Sequence, residues 1–142
     1  MLNVFFGEQQ DNFATLVPFF RPAPALVLDI SYGKGDMVRR LPALGYQIVG
    51  LDLATPKDAY AEWGNLPIRS ESVDVVLYDP PYKAEKPSFL LYGRPSHQWG
   101  KEKSVWEVVD HQRPVMECWR VLKEGGILIA KLQNCRYKGR YI

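Results

Sequence analysis

Asp79-Pro80-Pro81-Tyr82 directly follows the apolar run Val73 to Tyr78, and an acidic-glycine cluster, Asp29-Ile30-Ser31-Tyr32-Gly33-Lys34-Gly35, lies about fifty residues earlier. A strand that delivers a carboxylate, two ring-locked residues and an aromatic makes a stiff, apolar-walled slot suited to a planar, amine-bearing group. Asp-Pro by itself is a common strand ending, and Tyr after Pro is ordinary in a turn. Order gives the tetrapeptide its weight: strand, glycine loop, strand ending in an acid, then strand ending in Asp-Pro-Pro-Tyr.

The elements that must position these residues are legible as apolar runs. Ala25 to Leu28 ends in Asp29 and Gln47 to Leu51 ends in Asp52, each of buried-strand length. Between them, Met37, Val38, Leu41 and Leu44 fall at helical spacing, so a helix is expected over Asp36–Leu44, capped by Asp36 and stopped by Gly45, with Pro42 weakening its last turn. Val73 to Tyr78 is the next strand, and Ile127 to Leu132, launched by Gly125-Gly126, is the last. A helix is expected from Ser104 to Leu122, with Ser104 and Glu107 as a capping box and Pro114 kinking or splitting it. A weaker third strand is placed around Tyr60 to Trp63, after a short helix opened by Thr55 and Pro56. Gln9 to Phe20 reads as a helix packing Phe13, Leu16 and Val17 on the core. Alternation of this kind predicts an α/β fold, a doubly wound and mostly parallel sheet, with ligands bound beyond the carboxyl ends of the strands.

The 142 residues make one domain, 1–142, and an apolar share of 46% is that of an ordinary globule. A net charge of +2 is too near neutral to argue for nucleic acid from the total. Cys118 and Cys135 have neither metal-ligand spacing nor a disulfide-rich setting, so reduced thiols, no metal and a cytoplasmic location are expected. No run of about 18 apolar residues and no basic leader suggests a membrane span or signal peptide.

A glycine turn after the first strand and an acid at the tip of the second also suit a nicotinamide dinucleotide. That fingerprint asks for Gly or Ala three residues after Gly35, where Val38 stands. Asp29-x-x-x-Gly33-x-Gly35, Asp52 and Asp79-Pro80-Pro81-Tyr82, in this order, instead resemble the S-adenosylmethionine-dependent amino-methyltransferases of nucleobases, the N6-adenine and N4-cytosine DNA enzymes and their RNA relatives. The run from Glu62 to Asp74 looks like that family's approach to its fourth strand, and Arg120 to Gly126 like its entry to the fifth, so the resemblance spans most of Leu26 to Leu132.

The resemblance implies a Rossmann-like methyltransferase fold and S-adenosylmethionine as cofactor. Gly33 and Gly35, with Ser31 in the same turn, would approach its methionine portion while Asp29 fixes the loop; Asp52, with Leu53 beside it, would hold the ribose, and Glu62 the adenine side. Phe5-Phe6-Gly7 would pack at the methionine end. Asp79, Pro80, Pro81 and Tyr82 would carry catalysis, and Asp79 would also border the cofactor. An aromatic amine has its lone pair delocalised into the ring; Asp79 and the Pro80 carbonyl can accept its two hydrogens and localise that pair while Tyr82 stacks on the base. A base in a duplex would have to be flipped out to reach them.

Two basic stretches bear on a partner. From Lys83 to Lys103, five basic residues face two acidic ones, a balance of +3, interleaved with Phe89, Tyr92, His97 and Trp99; from Lys131 onward, four basic residues have no acidic counterpart. Such loops suit backbone contact and base stacking, and equally suit a solvated loop and a frayed tail. His97 and His111 are lone histidines, read as surface or capping residues. The expected partner is nucleic acid, DNA ahead of RNA, with no membrane. The near alternatives are an RNA adenine or guanine methyltransferase and an inactive cofactor-binding or scaffold subunit. Only Gln133 to Ile142 follows the fifth strand, so a homodimer or partner subunit covering that strand's edge, a fragment or a minimal enzyme are all expected possibilities.

Overall fold

The structure, a computed structural model, describes residues 8–80, 112–131, 136–137 and 140–141. In chain order it comprises α1 (Gln9–Phe20), β1 (Ala25–Asp29), a 3-10 turn (Pro42–Leu44), β2 (Tyr46–Asp52), β3 (Ala59–Tyr60), β4 (Val73–Tyr78), α2 (Gln112–Val121), β5 (Leu122–Ala130), β6 (Arg136–Tyr137) and β7 (Arg140–Tyr141). Five strands form one sheet in the order β3-β2-β1-β4-β5, every pairing parallel. The doubly wound α/β reading of the sequence holds.

Apolar residues alternate between the two faces of this sheet, which is why its strands read as nearly unbroken hydrophobic runs. Val27, Val75 and Leu77 pack with Phe13 and Val17 of α1 and with Met37, Val38 and Leu41. Leu28, Val76 and Tyr78 turn the other way, onto Cys118 and Val121 of α2 and onto Leu51, Ala61 and Leu66. Burial pushes the Cys118 thiol up to about 12, so it packs as an inert apolar group. Among the described residues no helix is long and apolar enough to cross a membrane, and no group of three His, Cys, Asp or Glu is placed to hold a metal.

Several expected elements differ in the structure. The helix expected over Asp36–Leu44 is a chain of tight turns instead, with the amides of Val38, Leu41 and Leu44 each donating to the carbonyl three residues back. Pro42 has no N–H for an α-helical bond, and Gly45 at φ +91° closes the segment by donating to the Pro42 carbonyl. No helix forms at Thr55 and Pro56, where the Asp52 carboxylate captures the Ala54 and Thr55 amides (2.7 and 3.0 Å) and holds a bend. The third strand is Ala59–Tyr60, two residues rather than Tyr60 to Trp63.

Leu122 belongs to β5, not to the preceding helix, because it pairs with Val73; the register then slips, and Ile127 pairs with Val75. Asp74 lies opposite the slip, and Lys123 from the bulged stretch reaches it with Nζ at 3.1 Å. Pro114 is buried in the first turn of the described part of α2; the expected start at Ser104 lies outside the described residues. The basic tail contains a short antiparallel pair, Arg136–Tyr137 with Arg140–Tyr141, where none was expected.

Gly50 shows how closely the layers approach. Its register partner is Asp29, and a Cβ there would lie 2.8 Å from both Cγ of Tyr32 and Cβ of Lys57. Gly50→Ala is therefore expected to cost about 1–3 kcal/mol through overpacking, read as a lower urea midpoint. Adding Tyr32→Ala should recover part of that loss, so additive penalties in the double-mutant cycle would refute the contact.

Candidate functional site

Three carboxylates stand at the carboxyl ends of adjacent strands: Asp52 closes β2, Asp29 closes β1 and Asp79 follows β4. Asp29 is fully buried at the centre, in register with Gly50 on one side and Leu77 on the other. Its Oδ1 accepts from the Ser31 amide (3.0 Å) and the Ser31 hydroxyl (3.3 Å), while its buried Oδ2 has no hydrogen-bond partner among the described residues. Burial pushes this carboxyl up to about 7 against the two Ser31 bonds, and the charges of Asp79 and Asp52 push the same way. Ser31 also reaches the third strand end, since its Oγ accepts from the Asp79 amide at 2.7 Å. One hydroxyl thus joins the turn after β1 to the residue after β4.

The glycine turn is tied to β2 in the same manner. The Gly33 amide donates to Asp52 Oδ2 (3.0 Å), and Oδ1 of the same carboxylate holds the Ala54 and Thr55 amides. A carboxylate offers about four acceptor positions; three are taken here, leaving one for a hydroxyl of a bound group. Gly33 and Gly35 have φ of +53° and +72°, the left-handed region that favours glycine. Among the described residues a Cβ on Gly33 would meet nothing nearer than the Ser31 carbonyl at 3.9 Å, which leaves the outer side of the turn room for a ligand. A Cβ on Gly35 would instead run into the Tyr32 ring, 2.6 Å from its hydroxyl, so that glycine also serves internal packing.

Asp79 is set by its neighbours in β4 and β5. Tyr78, almost fully buried, meets the Trp63 ring edge to face at a centroid separation of 5.7 Å, which anchors the strand end from the α2 side. Beside it, Lys131 donates its amide to the Tyr78 carbonyl (2.9 Å), and its Nζ lies 3.3 Å from Asp79 Oδ2. The Asp79 side chain is 19% exposed and the Lys131 side chain 44%, so the pair faces the open end of the sheet. Pro80 is buried directly after it.

The structure brings together Asp29, Ser31, Gly33, Gly35, Asp52 and Asp79. Leu53 lies half-buried beyond β2, and Glu62 is exposed beyond β3 on a turn closed by the Asn65 amide donating to its carbonyl (3.0 Å). Pro81, Tyr82, the Phe5-Phe6-Gly7 stretch, the basic segment from Lys83 to Lys103, both histidines and Cys135 lie outside the described residues. Sequence reasoning missed Lys131 as a partner of Asp79. The pairing follows only once the sheet order is known, because the parallel neighbours β4 and β5 end side by side and put the residue after one strand beside the residue after the other.

No family model matches the chain, and no curated protein matches it. Its Rossmann-like α/β fold is shared with solved structures. The PH0226 protein of Pyrococcus horikoshii OT3 superposes with a TM-score of 0.62 at 17% identity, covering 90% of this chain and 54% of that one. A putative S-adenosyl-L-methionine-dependent methyltransferase of Methanococcus maripaludis gives 0.57 at 16% identity, covering 85% and 53%. A putative sarcosine dimethylglycine methyltransferase of Galdieria sulphuraria gives 0.54 at 18% identity, covering 80% and 42%. At these identities the likeness is one of fold, and the chain spans about half the length of the solved structures it matches.

The state of Asp29 makes a prediction about pH. Its carboxyl, ordinarily near 3.8, titrates near 7 in the folded chain, so its contribution to stability is fullest below about pH 4 and is lost as pH rises through about 7. Between pH 4 and 8 the stability of the unsubstituted chain should fall relative to Asp29→Asn by up to about 4 kcal/mol, measured as urea midpoints across that range. Parallel curves would show that Asp29 is solvated after all.

Proposed function

We propose that this chain is the cofactor-binding and catalytic part of an S-adenosylmethionine-dependent methyltransferase that acts on an exocyclic amino nitrogen of a nucleobase, adenine N6 or cytosine N4, in DNA ahead of RNA. The observation that carries this reading is Asp79, whose carboxylate stands at the end of β4 beside the glycine turn and whose backbone amide is joined to that turn through Ser31. The methyltransferase fold supports the general reaction, and Asp79-Pro80-Pro81-Tyr82 supports the amine class.

The residues present fit the cofactor. Gly33 leaves the turn open to close approach, and Asp52 keeps one acceptor position at the tip of β2 for a ribose hydroxyl. When bound, S-adenosylmethionine supplies a methyl group activated by a sulfonium. The protein's part is positioning and charge. Asp79 Oδ and the Pro80 carbonyl each accept one hydrogen of the target amine, which draws the nitrogen lone pair out of the ring and aims it. Ser31 fixes the Asp79 backbone by accepting its amide hydrogen, and Tyr78 against Trp63 fixes the strand behind it. The amine proton becomes acidic only as the new N–C bond forms, so a carboxylate or water suffices to take it and no strong base is needed.

Incubation with labelled S-adenosylmethionine and a mixture of duplex DNA, single-stranded DNA and structured RNA, followed by digestion to nucleosides, should show label on an exocyclic nitrogen. Asp79→Ala should lower that transfer by about 10²- to 10³-fold while calorimetry shows cofactor binding retained. Transfer by Asp79→Ala at the original rate would instead mean that the carboxylate plays no part, and absence of label in every polymer would favour the scaffold alternative.

A further inference from the structure

The turn that follows β1 has few donors left to offer a bound group. Its amides are engaged one after another: Ser31 donates to Asp29 Oδ1 (3.0 Å), Tyr32 to the Leu51 carbonyl (3.1 Å), Gly33 to Asp52 Oδ2 (3.0 Å) and Gly35 to the Tyr32 carbonyl (2.7 Å). Lys34 is the exception. Among the described residues neither its amide nor its ammonium has a hydrogen-bond or ion-pair partner, and the residue is exposed. The other cations in the segments after β1 and β2 are paired, Arg39 with Asp36, Arg40 with Asp11 and Lys57 with Asp58. Lys34 stands between Gly33 and Gly35, both at positive φ, next to the side of the turn where a Cβ on Gly33 would meet nothing nearer than 3.9 Å.

We infer that Lys34 receives the carboxylate at the methionine end of the cofactor, its amide and its ammonium together forming the anion-binding half of that subsite. The inference rests on the cofactor reading above. The methionine end of S-adenosylmethionine carries a carboxylate, which Asp52 and Asp79 would repel if it were set against the strand ends. An anion taken out of water needs donors to replace the ones that it loses. A glycine turn can supply them from consecutive backbone amides. In this turn two carboxylates and two carbonyls already hold the amides on either side of Lys34. The Lys34 amide remains, and the ammonium on the same residue adds a charge-assisted bond where the engaged amides cannot contribute.

This role lies apart from the chemical step. The carboxylate is remote from the methyl group that is transferred and keeps its charge throughout, so a contact with it holds the bound cofactor and the transition state equally. Loss of Lys34 therefore weakens cofactor binding and leaves kcat at saturating cofactor unchanged. A lysine that met a polyanionic substrate instead would leave binding of the cofactor alone untouched.

The test is calorimetric titration, with no polymer present, of S-adenosylmethionine and of its decarboxylated form, in which hydrogen replaces the carboxylate. The proteins are the unsubstituted chain, Lys34→Met, Lys34→Arg and Arg69→Met. The unsubstituted chain should bind the decarboxylated form about 10-fold more weakly. Lys34→Met should lose a similar factor on S-adenosylmethionine and distinguish the two ligands by less than about twofold. Lys34→Arg, which still donates, should keep most of the discrimination. Arg69→Met removes an equal charge from the exposed segment before β4, at the other end of the sheet, and should leave both affinities as they are. Lys34 has no positive φ, so its replacement strains no backbone, and thermal unfolding checks that each variant is folded. Equal discrimination by the unsubstituted chain and Lys34→Met would overturn this inference while leaving the cofactor reading intact. So would unchanged cofactor affinity in Lys34→Met together with a salt-dependent loss of affinity for nucleic acid, the signature of a phosphate contact. Failure of the folded, unsubstituted chain to bind either ligand would overturn the cofactor reading, and this inference with it.

Discussion

Burial of both faces of a parallel sheet leaves polar side chains only the strand ends, and the placement of everything else in this molecule follows from that constraint. Successive residues of β1 and β4 alternate between the α1 layer and the α2 layer, so neither strand has a solvated face on which a carboxylate could sit. Acids therefore appear at the two ends, and the two ends treat them oppositely. Burial pushes the Asp74 carboxyl upward, but the Leu26 amide, Lys123 and Arg21 outweigh it and hold the group below the ordinary carboxylate range. Asp29 receives only Ser31 among the described residues, and burial prevails. One end of the sheet is neutralised by the fold itself. The other keeps unspent polar capacity, which is the condition for binding something.

Rigidity at the carboxyl end of the sheet comes from two separate layers that meet at Asp79. On one side, Arg120 donates to the carbonyls of Leu66 and Ile68 (3.0 and 2.8 Å) and pairs with Glu117, which in turn accepts from the Leu66 amide (2.8 Å). This network clamps the segment after β3 onto α2 and so seats Trp63 against Tyr78. On the other side, Ser31 fastens the Asp79 amide to the glycine turn. A residue held from both directions has little freedom left to lose, which is the condition for a preorganised carboxylate in the reaction proposed above.

The fold was legible wherever hydrophobic runs ended in an acid, because that pattern follows from the buried-sheet constraint: β1, β2 and β4 are where Ala25–Asp29, Gln47–Asp52 and Val73–Tyr78 put them. It was illegible where local bonding overrode periodicity. Met37, Val38, Leu41 and Leu44 have helical spacing, yet three-residue turns also return apolar side chains to one face, and Pro42 decides between them. Thr55 and Pro56 have the look of a helix start, but Asp52 claims the amides that such a helix would need. The candidate site divides in the same way. Residue types announced Asp29, Asp52, Gly33, Gly35 and Asp79, whereas Ser31 as a bridge and Lys131 as a partner depend on which strands are neighbours, and topology supplies that only after the sheet order is known.

The three acids at the carboxyl ends are also coupled to one another, and the coupling has a direction. Asp79 and Asp52 both help to raise Asp29, so the buried central acid answers to the charges on either side of it. Covering either outer charge, by Lys131 on Asp79 or by donors on Asp52, eases ionisation of Asp29; leaving them uncovered favours its neutral form. A parallel sheet buried on both faces has only its strand ends for such groups, which is why these acids gather there and feel one another.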